Sequence, residues 1–194
     1  MKHSFGLVVL LLLATVSAQA GTEIFVGYTY GTSGAGRVDR EIAHGWSVDV
    51  THTFFKYVGL TSDFAGVYGN VLANPGVGIC AVPSPPPSCF QNVNFQAYTL
   101  LGGPRLIIPI KPVSVFGQVL WGVAVTRLGG FTAGGTTVPS AMDADFAMGY
   151  GAGLDLNLLK FLAIRPVQYD HIRVKVANNW IDANTLRAGV VFKF

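Results

Sequence analysis

Asp145-Phe146-Ala147-Met148-Gly149-Tyr150-Gly151-Ala152-Gly153-Leu154-Asp155-Leu156-Asn157 divides into two sets when read at every second position. Phe146, Met148, Tyr150, Ala152, Leu154 and Leu156 share one parity. Asp145, Ala147, Gly149, Gly151, Gly153, Asp155 and Asn157 share the other. A helix would scatter both sets around its circumference, whereas a strand keeps them on opposite faces. The large apolar face and the small, acid-bearing face cannot both suit a soluble sheet. Facing water, the glycine and alanine side makes a poor surface. Facing hydrocarbon, the Phe/Met/Tyr/Leu side fits and the acids turn inward.

Similar segments lie on both sides of this one. Ile24, Val26, Tyr28 and Tyr30 alternate with smaller or polar residues over about 22–32. Trp46, Val48 and Val50 oppose Ser47, Asp49 and Thr51 over 42–54. Thr61, Asp63 and Ala65 share a face over 58–69. A fourth strand is expected over 93–108, with Pro104 marking a bend or an irregular rung. A fifth, 113–127, carries Val115, Val119, Trp121, Val123 and Val125 on one face. The quoted segment is the sixth and 162–176 the seventh. Pro166 marks a bulge there, because the polar residues change parity on passing it. The last strand runs to the final residue, with Leu186, Ala188, Val190, Phe192 and Phe194 on one face and Arg187, Gly189, Val191 and Lys193 on the other.

The connections alternate in length. Short turns are expected at Phe55-Lys56-Tyr57, Pro109–Pro112 and Leu158–Phe161, each with a lysine (Lys56, Lys111, Lys160) whose stem suits an interface. Longer loops are expected at 33–40, 70–92, 128–142 and 177–183. The pattern predicts an all-β fold, an eight-stranded antiparallel up-and-down transmembrane β-barrel with tight turns at one end and long loops at the other.

Composition agrees with this. Charged residues make up 12% of the chain, about half the share usual in soluble domains. The 13 basic and 10 acidic side chains are dispersed, with no basic stripe for a nucleic acid. The first twenty residues read as a cleavable signal peptide. Lys2 and His3 precede an apolar run, Phe5–Val16, and a small-x-small site, Ala18-Gln19-Ala20. That run is too short to span a bilayer as a helix. The expected division is 1–20 signal peptide and 21–194 barrel domain, exported to the cell outer membrane. Cys80 and Cys89 flank a proline-rich stretch, and an exported chain favours a disulfide between them. Two free thiols are the alternative if the prolines hold the ends apart. Neither a metal site nor a cofactor site is expected.

An eight-stranded barrel has little internal volume. Gly149, Gly151 and Gly153 would make room for inward groups on neighbouring strands. Asp49, Asp63, Gln96, Arg105, Gln118, Asp145, Asp155, Arg165 and Arg187 are the expected polar lining. Buried charges need partners, so the lumen should hold acid–arginine pairs and little continuous channel.

The segments Arg187-x-Gly189-x-x-Phe192-x-Phe194, Gly102-Gly103-Pro104-Arg105, Ala163–Gln168 and Gly149-x-Gly151-x-Gly153-Leu154-Asp155 together resemble the eight-stranded outer-membrane protein A/X-type barrel superfamily. The resemblance covers the chain after residue 20 and is nearest to the stand-alone members. It implies that Arg187, Gly189, Phe192 and Phe194 serve as the C-terminal insertion signal, read by the barrel-assembly machinery. It implies outer-membrane lipid as surroundings and a monomer. Larger members carry a peptidoglycan-binding domain, and no such tether is expected here.

The leading functional expectation is a non-enzymatic envelope-structural or surface-contact protein. A porin-like pore for ions or small solutes is the alternative. A lipid-modifying enzyme is the second alternative, resting on His44, His52, His171 and Ser47. A hydrolase needs serine, histidine and acid in mutual reach. His44 and Ser47 differ in parity, so a strand should point them to opposite faces.

Overall fold

The computed structural model describes residues 21–33, 41–55, 57–73, 91–133, 136–138, 140–176 and 179–194. The expected signal peptide, Lys56 and the Cys80–Cys89 pair lie outside them. Ten strands follow in chain order: β1 (Thr22–Ser33), β2 (Glu41–Phe55), β3 (Val58–Ala73), β4 (Gln91–Ile110), β5 (Val113–Leu128), β6 (Phe131–Ala133), β7 (Thr136–Val138), β8 (Ala141–Leu159), β9 (Leu162–Val176) and β10 (Asn179–Lys193). Eight of them close an antiparallel barrel in the order β1-β10-β9-β8-β5-β4-β3-β2, and β6 and β7 form a separate hairpin. No described helix is long and apolar enough to cross a membrane.

Closure is made by the first and last strands. Ile24 faces Phe192, Gly27 faces Gly189 and Thr29 faces Arg187. The backbone N–H of Phe194 donates to the carbonyl of Thr22 at 2.8 Å, and that of Gly21 donates to the carbonyl of Phe194 at 2.9 Å. The alternation seen in sequence sorts side chains by face. Tyr150 is 59% exposed while Asp155 is 2% exposed. Val119, Trp121, Leu100, Ile108, Ile164 and Leu186 also stand outward. Outward aromatics gather towards both rims, Trp46, Tyr68 and Tyr98 at one and Phe54, Phe161 and Phe194 at the other. Girdles of this kind are typical of membrane barrels.

The bulge expected at Pro166 is present. Arg187 pairs with Gln168, and two residues later Gly189 pairs with Arg165, three positions back on β9. The ladder with β8 shifts at the same place, between Leu154 and Leu156. Pro166 and Val167 are consecutive outward residues, so Arg165 and Gln168 both face in. At Pro104 the outcome is milder. The register against β3 is unbroken, and against β5 the rungs between Gly102 and Arg105 are missing without a shift. Proline has no N–H to give to the ladder.

Two loop expectations are corrected. The stretch 177–183 is not a long loop, because β10 starts at Asn179, with two residues between it and the end of β9. Its polar residues still pair in register, with Asp182 opposite Arg173 and their side chains 2.9 Å apart. The stretch 128–142 is not irregular throughout, because it holds the β6–β7 hairpin. Long connections therefore follow β1, β3 and β5, all at one end of the barrel.

Candidate functional site

The lumen is layered. Near the short-turn end, Phe25, Ala163 and Val191 pack together, all within 1% exposure. Thr51 and Thr61 share a 2.9 Å hydrogen bond at their level of the wall.

Above them lies a polar and charged layer to which every barrel strand except β1 contributes. Asp49 from β2 is its hub. Its Oδ2 accepts from Arg105 at 3.0 Å and from Arg165 at 2.9 Å, and its Oδ1 lies 3.5 Å from Arg187. Arg165 also donates to both oxygens of Asp155, at 2.7 and 3.1 Å, and to Gln168 at 2.7 Å. Gln118 accepts from Arg105 at 2.9 Å and donates to Asp170 at 2.8 Å. Gln168 donates to the other oxygen of Asp170, also at 2.8 Å. Arg187 bonds Asp63 through both terminal nitrogens. Its Nε lies 3.2 Å from Asp170, near enough for charge attraction but without hydrogen-bond alignment. Charged hydrogen bonds of this sort are the strong class, and they offset the desolvation of seven ionisable groups.

Aromatic rings seal the layer from β1 and β5. The Arg165 guanidinium lies between Phe25 and Phe116, 4.4 and 4.3 Å from their centroids, and Arg105 lies 4.4 Å from Phe116. Weakly hydrated, planar guanidinium groups suit such stacking. Glycines on β8 make the room. A Cβ on Gly151 would stand 1.9 Å from Asp170 Oδ1, and one on Gly153 would stand 2.6 Å from Phe116 Cζ. Asp49, Asp63 and Arg165 are wholly inaccessible to water. The other members are nearly as buried, and the charge layer fills the lumen as a plug.

Seven of the nine residues expected in the lining fall in this layer: Asp49, Asp63, Arg105, Gln118, Asp155, Arg165 and Arg187. Gln96 does not. Leu101, Gly103 and Arg105 fix the odd positions of β4 as inward, so Gln96 stands on the outer face beside Tyr68 and Asn94. Asp145 faces inward but sits higher, half-buried in the wall of a cavity, apart from the plug. Gln168 and Asp170 belong to the plug and were not expected. The parity change at Pro166 was the signal that places them inward.

Above the plug, at the long-connection end, the lumen opens into a cavity of about 340 Å³. Ala43, Ala65, Val67, Ala97, Ala124 and Ile172 supply much of its wall, and Arg187 reaches its floor.

The residues considered for hydrolysis are separated. Ser47 is buried in the lumen and bonded to Thr29 at 3.0 Å, while His44 is exposed outside with Tyr28 as its partner. His52 is bonded to Thr22, and His171 to Asn184 at 2.9 Å on the outer wall. No His/Cys/Asp/Glu cluster fit for a metal occurs among the described residues.

No protein-family model and no curated protein matches the sequence. Solved structures do match. Neisserial surface protein A aligns with a TM-score of 0.62 at 11% identity, covering 90% of this chain and 98% of that one. The attachment invasion locus protein Ail of Yersinia pestis gives 0.55 at 19% identity, with 91% and 100% covered. The outer membrane protein OprG of Pseudomonas aeruginosa gives 0.57 at 10% identity, with 91% and 97% covered. At such identities the likeness establishes architecture, and the architecture is shared nearly end to end. The chain has the barrel fold of these small outer-membrane proteins.

Proposed function

We propose that the chain is an integral outer-membrane protein whose barrel is a sealed, non-enzymatic scaffold. It is exported by its N-terminal signal, inserted as a monomer by the barrel-assembly machinery through its last strand, and holds its long connections outside the cell. Its role is to strengthen the envelope or to present those connections for surface contact. The plug is the observation that carries this reading. Three arginines and four aspartates from six strands cross-link the lumen above aromatic rings, and such a layer favours a rigid wall over a conduit. The outward apolar band, the rim aromatics and the outer-membrane neighbours support the location. The separation of His44 from Ser47 supports the absence of hydrolytic chemistry.

Expression in a Gram-negative host tests it. The protein should fractionate with the outer membrane, shift its gel mobility on heating, and give no stable unitary conductance in planar bilayers. A stable conductance weakened by Arg187→Ala or Asp155→Ala would replace the scaffold with a pore. Saturable hydrolysis of a lipid or peptide would replace it with an enzyme.

A further inference from the structure

Asp143 and Asp145 hold successive inward positions on β8, at the mouth of the cavity above the plug. Neither carboxylate has a hydrogen bond or an ion pair among the described residues. The basic side chains of the neighbouring strands point away from them. Thr126 and Val174 line the cavity, so Arg127 on β5 and Arg173 and Lys175 on β9 stand on the outer wall. Among the described residues, Arg187 is the one basic group of the cavity wall. It lies at the floor, where Asp63 and Asp170 meet its charge. The mouth therefore carries two carboxylates with no described cation to balance them.

The cavity below the mouth narrows what the balancing cation can be. Its wall of Ala65, Ala97, Ala124 and Ile172 is apolar, and its volume of about 340 Å³ lies at the low end of the range for small-molecule pockets. A hard metal ion seeks about six oxygen ligands. No cluster of His, Cys, Asp or Glu fit for one occurs among the described residues. An organic cation suits both parts, with its charge at the acids and its body against the apolar wall. An independent observation concerns the bottom of the cavity. Thr185 is only 7% exposed, and its hydroxyl makes no hydrogen bond within the protein. It pairs across the ladder with Asp170 of the plug, so it lies deep in the cavity, below the level of the acids and on a different wall. A buried hydroxyl left alone loses its solvation. This one marks where an occupant places a second polar atom.

We propose that this cavity binds a small organic cation, a primary amine whose apolar body ends in a hydroxyl. The ammonium sits at the mouth and donates to Asp143 and Asp145. The body packs against Ala97, Ala124 and Ile172. The terminal hydroxyl meets Thr185 beside the plug, so the two ends of the ligand use different protein groups. The plug makes the site blind, and the ligand enters and leaves from the long-connection end. The inference needs the closed barrel but not the scaffold role.

The test uses 6-amino-1-hexanol as the probe, with 1,6-hexanediol and 6-hydroxyhexanoate to change the head and hexylamine to remove the tail hydroxyl. Protein purified from membranes is placed in phosphatidylcholine nanodiscs with its alanine and isoleucine methyls labelled for NMR. At neutral pH, 6-amino-1-hexanol should give saturable shifts at Ala97, Ala124 and Ile172, while outward Ala152 and Ile108 respond only in proportion to dose. The diol should bind about tenfold more weakly, the effect of losing one charged hydrogen bond, and the hydroxyacid more weakly still. Asp145→Asn should weaken the amino alcohol about tenfold and leave the diol unchanged. If that variant loses its heat-modifiable band, salt takes its place. Raising sodium chloride from about 20 to about 300 mM should weaken the amino alcohol severalfold and spare the diol. Thr185→Val keeps the shape and removes the hydroxyl. It should weaken the amino alcohol about fivefold and leave hexylamine unchanged. Cavity shifts that rise linearly with dose, as at Ala152, would show mere partitioning into lipid and overturn the site. Diol or hydroxyacid binding as tightly as the amino alcohol would overturn the cationic class. Equal losses for hexylamine and the amino alcohol in Thr185→Val would overturn the placement of the tail. Conductance, measured separately, bears on the scaffold reading alone, so the two ideas fail by different results.

Discussion

Arg165 and Asp155 form a two-point ion pair across β9 and β8, Nε to Oδ1 at 2.7 Å and Nη2 to Oδ2 at 3.1 Å, at the rung where β9 bulges. Both groups are out of contact with water. The bulge lets Arg165 face in while Pro166 and Val167 both face out. Asp155→Asn keeps the shape and removes the charge, leaving a buried guanidinium short of one partner. Breaking a buried pair from one side costs about 3–5 kcal/mol. Urea unfolding from lipid vesicles should show a loss of that order. A loss below about 1 kcal/mol would mean that Asp49 and Gln168 hold Arg165 unaided, and that the pair with Asp155 is dispensable.

The bulge yields a second prediction, less intuitive than the first. Removing Val167 leaves Arg165 in, Pro166 out and Gln168 in, a regular alternation. Gly189 still faces Arg165, and Arg187 still faces Gln168. The deletion variant should therefore fold and keep its heat-modifiable gel mobility. Deleting Ala152 from the regular part of β8 should not be tolerated, because one side of the strand must then exchange faces. If the Val167 deletion alone abolishes folding, the extra residue supplies twist that the barrel requires.

How far the sequence could be read follows from the same alternation. In 145–157 the faces are separable because every second side chain is large and apolar, and nothing but period two explains it. Seven lumen residues were legible because each is a charge or an amide on a strand whose other face is largely apolar. Gln96 was misread because it lies at the rim, where the outer face also accepts polar groups and polarity no longer reports direction. Gln168 and Asp170 escape a strict period-two reading of β9, because the extra residue at the bulge moves the inward set from 163 and 165 to 168 and 170. The segment 177–183 resembled a loop because strand that rises past the hydrocarbon needs no apolar face. The cavity was illegible by nature. It is made of small residues from many strands, each unremarkable alone, and its volume exists only when the barrel closes.

The glycines of β8 are explained by what faces them, and Gly151 is the sharpest case. An added Cβ there would meet Asp170 Oδ1 at 1.9 Å and the backbone carbonyl of Tyr169 at 2.6 Å. The carboxylate could swing away, at the expense of its bonds from Gln118 and Gln168, but the carbonyl cannot. Gly151→Ala should cost about 1–3 kcal/mol in the same urea assay, the usual range for overpacking. Gly117→Ala is the control, since its nearest neighbour to an added Cβ is 3.9 Å away. Equal losses for the two variants would show that the lumen has slack and that glycine is not required for space.

Tyr150 and Val119 face one another across β8 and β5 and stand 59% and 53% exposed on the outer wall. Their inward neighbours, Gln118 and Gly151, belong to the level of the plug. If hydrocarbon surrounds that level, an arginine on the outer face pays the transfer penalty of the mid-bilayer, about 2–4 kcal/mol. Tyr150→Arg and Val119→Arg should each show it in unfolding from vesicles, well beyond the fraction of a kcal/mol usual at a wet surface. The penalty should shrink for Tyr68→Arg, nearer the long-connection rim, because the cost falls towards the interface. That gradient separates burial in lipid from simple loss of packing, which has no reason to follow depth. Two arginine variants at Tyr150 and Val119 with near-native stability would place water against the wall, and the inside-out reading of the barrel would be wrong.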